Sequence, residues 1–308
     1  MEDSYTWWIG FNVFILAMLA LDLGVFHRKS HEISVKEAFL WTGFWILLAF
    51  AFNVVVYYTQ GTEKAFEFFT GYLIEKSLSV DNIFVIILIF TYFQVPGAQQ
   101  HKVLFWGILG ALVMRGAFIF AGVELIHRFH WLIYIFGGFL VYTGIKILAS
   151  GEMNIDLGKN PVLKLSRKFF SVTEKFEGDK FFVKRDGKRW ATPLFLVLML
   201  VESTDLIFAV DSIPAILAVS DDAFIVYTSN VFAILGLRSL YFALAGIERY
   251  FKYLKYGVSV ILVFVGIKMA IVDFYKIPIE ISLAFIFIAL ALATLASLMF
   301  VGRKEGKD

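Results

Sequence analysis

Nine stretches of this chain are apolar for long enough to cross a bilayer, and that alone removes most folds. A hydrocarbon core of about 30 Å needs about 20 consecutive apolar residues when crossed by a helix. Runs of this kind lie at 7–26, 38–58, 66–93, 103–126, 131–149, 191–219, 224–247, 257–275 and 279–301. In oil every backbone N–H and C=O has to be bonded within the segment, so such runs read as helices. The expected fold is all-α, a polytopic membrane protein of about nine transmembrane helices. Hydrophobic residues make up 59% of the chain and charged ones 18%. Ordinary soluble domains hold about 45–50% and about 25%, so a cytosolic enzyme, a secreted disulfide scaffold and a disordered protein are all excluded. Cysteine is absent, which excludes thiolate chemistry.

The basic residues set an expected orientation, because positive loops stay on the cytoplasmic side. With the N-terminus outside, the inner segments hold 20 lysines and arginines and the outer ones hold three, Lys64, Arg128 and Lys276. The reading is N-terminus out and C-terminus in. The first run follows Glu2 and Asp3 without a basic leader region and fills a whole span, so it reads as a retained helix rather than a cleaved signal. The net charge of +2 points to no polyanion, and no nucleic-acid partner is expected.

The one long connection, 150–190, mixes ten basic with six acidic side chains and is expected in the cytoplasm. Val162, Leu165, Phe169, Val172 and Phe176 recur at helical spacing. Phe181–Arg185 and Lys188–Thr192 flank an Asp186-Gly187 turn signal. An amphipathic helix on the membrane followed by a short hairpin fits the pattern, as does a solvated linker; no site is assigned here.

Shifting the chain by 122 to 124 residues brings related features together. Asp81-Asn82-Ile83-Phe84 falls on Asp205-Leu206-Ile207-Phe208, and Ala121-Gly122 on Ala245-Gly246. Close by, Ile108-Leu109-Gly110 with Arg115 resembles Ile234-Leu235-Gly236 with Arg238, shifted by 126 and 123 residues, and Gly144-Ile145-Lys146 resembles Gly266-Ile267-Lys268. Each unit has three spans, so its copies enter the membrane from opposite faces. The expected organisation is two N-terminal helices (1–65), a first repeat (66–149), a cytoplasmic loop (150–190), a second repeat (191–275) and a final helix with a short tail (276–308). Inverted repeats of this sort are a transporter architecture with substrate held near the midplane.

The leading spans of the two repeats carry the polar residues. Span 3 reads Glu75-Lys76-Ser77-Leu78-Ser79-Val80-Asp81-Asn82. Span 6 reads Glu202-Ser203-Thr204-Asp205 and then Asp211-Ser212-Ile213-Pro214. A carboxylate at a helix centre costs about 2.5–3.5 kcal/mol on the insertion scale, so five facing lipid would cost roughly 12–17 kcal/mol. They must face one another or a wet cavity. Glu202 and Asp205 share a helix face; Asp211 is rotated away unless the helix breaks, and Pro214 is expected to supply that break. Carboxylates, the Asn82 amide and hydroxyls form a hard oxygen set suited to magnesium, calcium or manganese rather than zinc or copper. Protonation and metal binding would compete there, so proton-coupled antiport is the expected mechanism.

Pairing with buried bases is the competing reading. Lys76, Arg115 and Arg238 could neutralise some of the acids, but three bases against five acids leave a negative excess that favours a cation. Asp22, near the end of span 1, could equally be an end-of-helix charge. The five histidines, His27, His31, His101, His127 and His130, lie at helix ends or in loops and are not expected as ligands.

The stretch Gly71–Asn82, the stretch Val201–Ala215, Ser229-Asn230 to Arg238 and Gly266-Ile267-Lys268 resemble the TerC family of integral membrane proteins, in particular its Alx branch within the LysE superfamily. The resemblance covers nearly the whole chain. It implies export of manganese across the bacterial plasma (inner) membrane, with the family's acidic positions on Glu75, Asp81, Glu202, Asp205 and Asp211. Asp81, Asp205 and Asp211, with Asn82, are the expected metal ligands, and Glu75 and Glu202 ligands or proton acceptors; Asp22, Lys76, Ser212, Arg115 and Arg238 are expected in supporting pairs. The expected partners are membrane lipid, the divalent cation and protons. Secretion machinery joins them because the family is also tied to metal delivery to exported enzymes. Manganese is expected as transported substrate and no prosthetic group is expected. A metal-delivering scaffold and a Ca²⁺ exporter stay open. A hydrolase is the weakest alternative, since neither H-E-x-x-H nor G-x-S-x-G occurs, and the chain is not expected to be an enzyme.

Overall fold

The computed structural model describes residues 2–24, 35–149, 170–185, 187–245 and 253–305. The helices are α1 (Glu2–Gly24), α2 (Val35–Gln60), α3 (Thr62–Tyr92), α4 (Gly97–Arg128), α5 (Leu132–Ala149), α6 (Pro193–Leu217), α7 (Ala223–Leu235), α8 (Leu237–Leu244), α9 (Leu254–Ala270) and α10 (Ile279–Glu305). A single hairpin, β1 (Phe182–Arg185) with β2 (Lys188–Ala191), precedes α6. Among the described residues α2, α4, α5, α6 and α10 are each long and apolar enough to cross a membrane, and α7 with α8 adds a sixth crossing if the bent pair is one span. The first helix is apolar over Thr6–Ala20. Helix α3 is long enough but interrupts its apolar run with Glu75, Lys76 and Asp81.

Local chemistry fixes the connections. Gly61, at φ 91°, lets α2 turn into α3 through one residue, a backbone state that a side chain disfavours. Asp222 caps α7 by accepting the N–H groups of Phe224 and Ile225 at 2.9 and 3.2 Å. Helix α1 is fastened to α7 by Trp8 and Phe11 packing on Phe224 and Tyr227, and Tyr227 Oη donates to Asn12 Oδ1 at 2.9 Å.

Around the centre, α3 packs on both α6 and α7, α4 packs on α6, and α5 lies along α9. The last pair approaches through small residues. A Cβ on Gly137 would stand 2.8 Å from the Gly266 carbonyl oxygen, and one on Gly266 would stand 2.6 Å from that of Gly137. Without a hydrophobic force between helices in lipid, this close backbone approach supplies the association.

One expectation about a helix break is corrected. Pro214 does not break span 6: α6 runs without interruption to Leu217, because the proline falls in its last turn and the Ala218 N–H closes on the Pro214 carbonyl at 3.0 Å. The break falls in span 7 instead, where α7 and α8 meet at 40° about Gly236. The expected helix over 162–176 is also corrected where it is described. Val172 bridges to Ala191, the Ala191 N–H donates to the Ser171 carbonyl and the Thr173 N–H to the Ala191 carbonyl, so β2 draws this segment out as an added strand. Residues 162–169 and Asp186 lie outside the described residues.

The hairpin segment is tied to the start of α4. Lys102 Nζ donates to the Asp179 carbonyl oxygen at 2.5 Å and pairs with its carboxylate at 3.2 Å, and the same amine lies 5.0 Å over the Phe181 ring. At the other ends of the helices, Ser220 Oγ donates to Glu67, which also pairs with Lys64 at 2.8 Å, and Asp273 binds His130 and Tyr134.

Candidate cation site

Each of the leading helices buries its polar run against the other half of the molecule. On α3, Glu75 is fully buried. Its carboxylate receives Nη1 of Arg115 from α4, the Asn230 amide from α7 at 3.3 Å and the Ser79 hydroxyl at 3.5 Å. On α6, Asp205 receives the same guanidinium as a fork: Nε to Oδ2 at 3.1 Å and Nη2 to Oδ1 at 2.9 Å. Arg115 Nη1 further donates to Asn230 Oδ1 at 3.2 Å and to Ser212 Oγ at 3.4 Å. Arg115 is 1% exposed. A charge taken so far from water is tolerable only when its donors are all used, and a two-pronged contact with a carboxylate is the geometry a guanidinium favours.

Beside this network lies a cavity of about 30 Å³, lined among others by Asn82, Gly107, Ala111, Thr204, Asp205 and Leu237. That is room for about one water or one bare ion. Asn82 is 4% exposed, and neither its amide oxygen nor its nitrogen has a hydrogen-bond partner among the described residues. Such an orphaned group costs of order 1–3 kcal/mol unless something else satisfies it. One turn away, Glu202 packs on Gly110 of α4 so closely that a Cβ there would overlap its carboxylate, and Glu202 Oε2 is also buried without a partner.

A matching contact occurs at the break between α7 and α8. Lys76 Nζ donates to the Ala233 carbonyl oxygen at 3.2 Å, and a Cβ on Gly236 would stand 2.9 Å from that nitrogen and 3.2 Å from Trp45 Cβ. The amine therefore serves the carbonyl end of a half-helix, where a positive charge is favoured.

Of the residues expected in the site, Glu75, Asp205, Arg115 and Ser212 come together in one network, and Asn82 and Asp205 share the cavity. Glu75 does not line that cavity; its oxygens are turned to Arg115 and Asn230. Lys76 pairs with a carbonyl rather than an acid. Arg238 is buried in the first turn of α8. Asp22, Asp81 and Asp211 lie on α1, α3 and α6, and their side chains are outside the described residues. Among the described residues no three acids or histidines converge on one point. Three contributors escaped the sequence reading. Asn230 ends a polar run, Thr228-Ser229-Asn230, inside an apolar span, and that run was the available signal. Gly107 and Gly110 carried none by themselves.

The apolar helices, a charged network at their centre and an unsatisfied polar cavity beside it define a polytopic integral membrane protein with an internal polar site. The chain belongs to the integral membrane protein TerC family, whose sequence pattern matches residues 60–305. It is 53% identical to "Uncharacterized membrane protein STKORF319" of Myxococcus xanthus over 292 residues, which is 95% of this chain and 92% of that one. It is 50% identical over 289 residues to a Salmonella typhi protein named "Putative membrane-bound redox modulator Alx", covering 91% of this chain and 90% of the relative. An uncharacterized membrane protein of Rickettsia bellii is 45% identical, with 95% and 97% covered. No solved structure matches.

Proposed function

We propose that this chain exports a divalent cation, manganese, across the bacterial inner membrane in exchange for protons. It would work as an inverted-repeat carrier of the LysE superfamily type, with its N-terminus outside. The observation that carries the reading is a cavity of one-ion size lined by Asp205 and the orphaned Asn82 amide, with the unpartnered Glu202 oxygen one turn before Asp205 on α6 and outside that lining. Amide and carboxylate oxygens are hard donors of the kind manganese, calcium and magnesium accept. The packing supports the repeat. A two-fold exchanging α3 with α6, α4 with α7 and α5 with α9 turns the α3–α7 contact into the α6–α4 contact and returns α3–α6 and α5–α9 to themselves, and all of these contacts occur. The residue types support the ion: a redox role such as the Alx name carries could not run through thiols here, since the chain has no cysteine.

Purified protein in liposomes with an imposed pH gradient should take up radioactive manganese, with Ca²⁺ and Mg²⁺ added as competitors, and Asp205→Asn should abolish the flux while inserting normally. Undiminished flux in that variant would remove the site from the reading. No flux from the unaltered protein would turn the reading to a scaffold that delivers metal to exported proteins, and preference for Ca²⁺ would make it a calcium exporter.

A further inference from the structure

Resting on the exporter reading, we propose that Arg115 is a built-in rival of the metal: its guanidinium occupies Asp205 when the carrier is empty and must release it for the cation to bind. The guanidinium is held unequally from its two sides. Toward α3 and α7 it meets Glu75 and Asn230, both 0% exposed, with the Ser212 hydroxyl of α6 beside them. On its other side it meets, among the described residues, Asp205, whose side chain is 13% exposed and lines the cavity that Arg115 and Glu75 do not line. The Glu75 side is the anchor and the Asp205 side is the one that gives.

Charge balance supports the exchange. In the empty state one guanidinium lies between two carboxylates, while Glu202, three residues before Asp205 on the same face of α6, has an oxygen without a partner. With a divalent cation present, Arg115 and Glu75 form one neutral pair, and Asp205, Glu202 and the cation form another neutral set. Among Arg115, Glu75, Asp205, Glu202 and the cation no charge is left over in the loaded state, and balance of this kind lowers the cost of burial at membrane depth. The fork also covers both Asp205 oxygens, so a metal cannot take that carboxylate as a two-oxygen ligand until Nε or Nη2 lets go. Arginine suits this role because it keeps its proton at any working pH, so its competition with metal is separate from proton coupling.

The test is Mn²⁺ binding by titration calorimetry to the full-length protein in lipid nanodiscs. Arg115→Gln removes the rival and should bind Mn²⁺ at least about tenfold more tightly than the unaltered protein. Arg115→Lys keeps a charge beside Glu75 but cannot form the fork, and should tighten binding by a smaller factor. In everted vesicles Arg115→Gln should retain exchange of manganese for manganese and lose net export, because the empty carrier lacks its internal cation, whereas Arg115→Lys, which keeps one, should retain part of the net export. Unchanged or weaker Mn²⁺ affinity in a well-folded Arg115→Gln overturns the proposal. If that variant does not fold, Arg115→Lys decides in the same way. The two readings fail differently. Binding lost in Asp205→Asn but unaltered in the Arg115 variants sinks the rival-cation role alone, and binding indifferent to Asp205 sinks the exporter site and this proposal with it.

Discussion

Gly110 and Gly236 each end an Ile-Leu-Gly triplet, and each receives the tip of a charged side chain, Gly110 from α6 and Gly236 from α3. At Gly110 the visitor is the Glu202 carboxylate with an unpartnered oxygen; at Gly236 it is the Lys76 amine, already bonded to the Ala233 carbonyl. The backbone solution is shared and the charge is reversed. Among the described residues the carboxylate at Gly110 keeps an oxygen unmet, whereas the amine at Gly236 is satisfied by a backbone carbonyl. The difference teaches that the same close approach to a glycine can seat an acid in one place and a base in another.

Substitutions can break this contrast. The largest effect is expected from Glu202→Gln, which keeps the shape and removes the charge: manganese flux should fall by at least about tenfold with little change in thermal unfolding. Gly236→Val should act on stability instead, by about 1–3 kcal/mol, because the added methyls press on both Lys76 and Trp45 where the helix bends. Lys76→Met leaves the Ala233 carbonyl without its donor and should lower stability by about 1–3 kcal/mol while transport continues. If Lys76→Met stopped flux as fully as Glu202→Gln at an unchanged melting temperature, the contrast between the two glycines would be lost. Gly110→Ala meets only the end of a flexible side chain, so its melting temperature should hardly move, but it displaces the Glu202 carboxylate and should slow transport severalfold in the liposome assay.

The smallest effect belongs to the hairpin. Lys102 holds the exposed Asp179 carboxyl below its usual range. A depressed carboxylate adds stability above its unfolded pKa and loses that contribution as pH falls through the folded value, so the carboxylate part of the tie is present at neutral pH and goes only in acid. Hydrogen exchange of residues 179–185 should quicken slightly in Lys102→Ala at pH 7, and the difference from the unaltered protein should shrink, without vanishing, once the pH is low enough to protonate Asp179, because the bond from Lys102 to the Asp179 carbonyl remains.

Much of this was legible in the sequence, because helices in oil advertise themselves through long apolar runs and buried charges stand out against them. The hairpin was placed within a residue or two by its Asp-Gly turn signal. The meeting of Glu75 and Asp205 at Arg115 was foreseen only as pairing that could neutralise one or two acids, since sequence distance says nothing about which base reaches which acid. The break was misread because proline is a local signal and Pro214 lies too near a helix end to act. Gly236 yields because of what packs on it, Lys76 and Trp45 from distant parts of the chain. The orphaned Asn82 amide was named as a ligand, but its isolation is a property of packing that no linear pattern records.

The glycine contact between α5 and α9 carries a mechanical consequence. Each helix presses its backbone into the space where the other would carry a side chain, so a slide by one turn would drive Ile133 or Val141 into the place of Gly137. Translation along that line is sterically barred. The two helices are therefore locked at one level along each other, as two blades are held at their rivet.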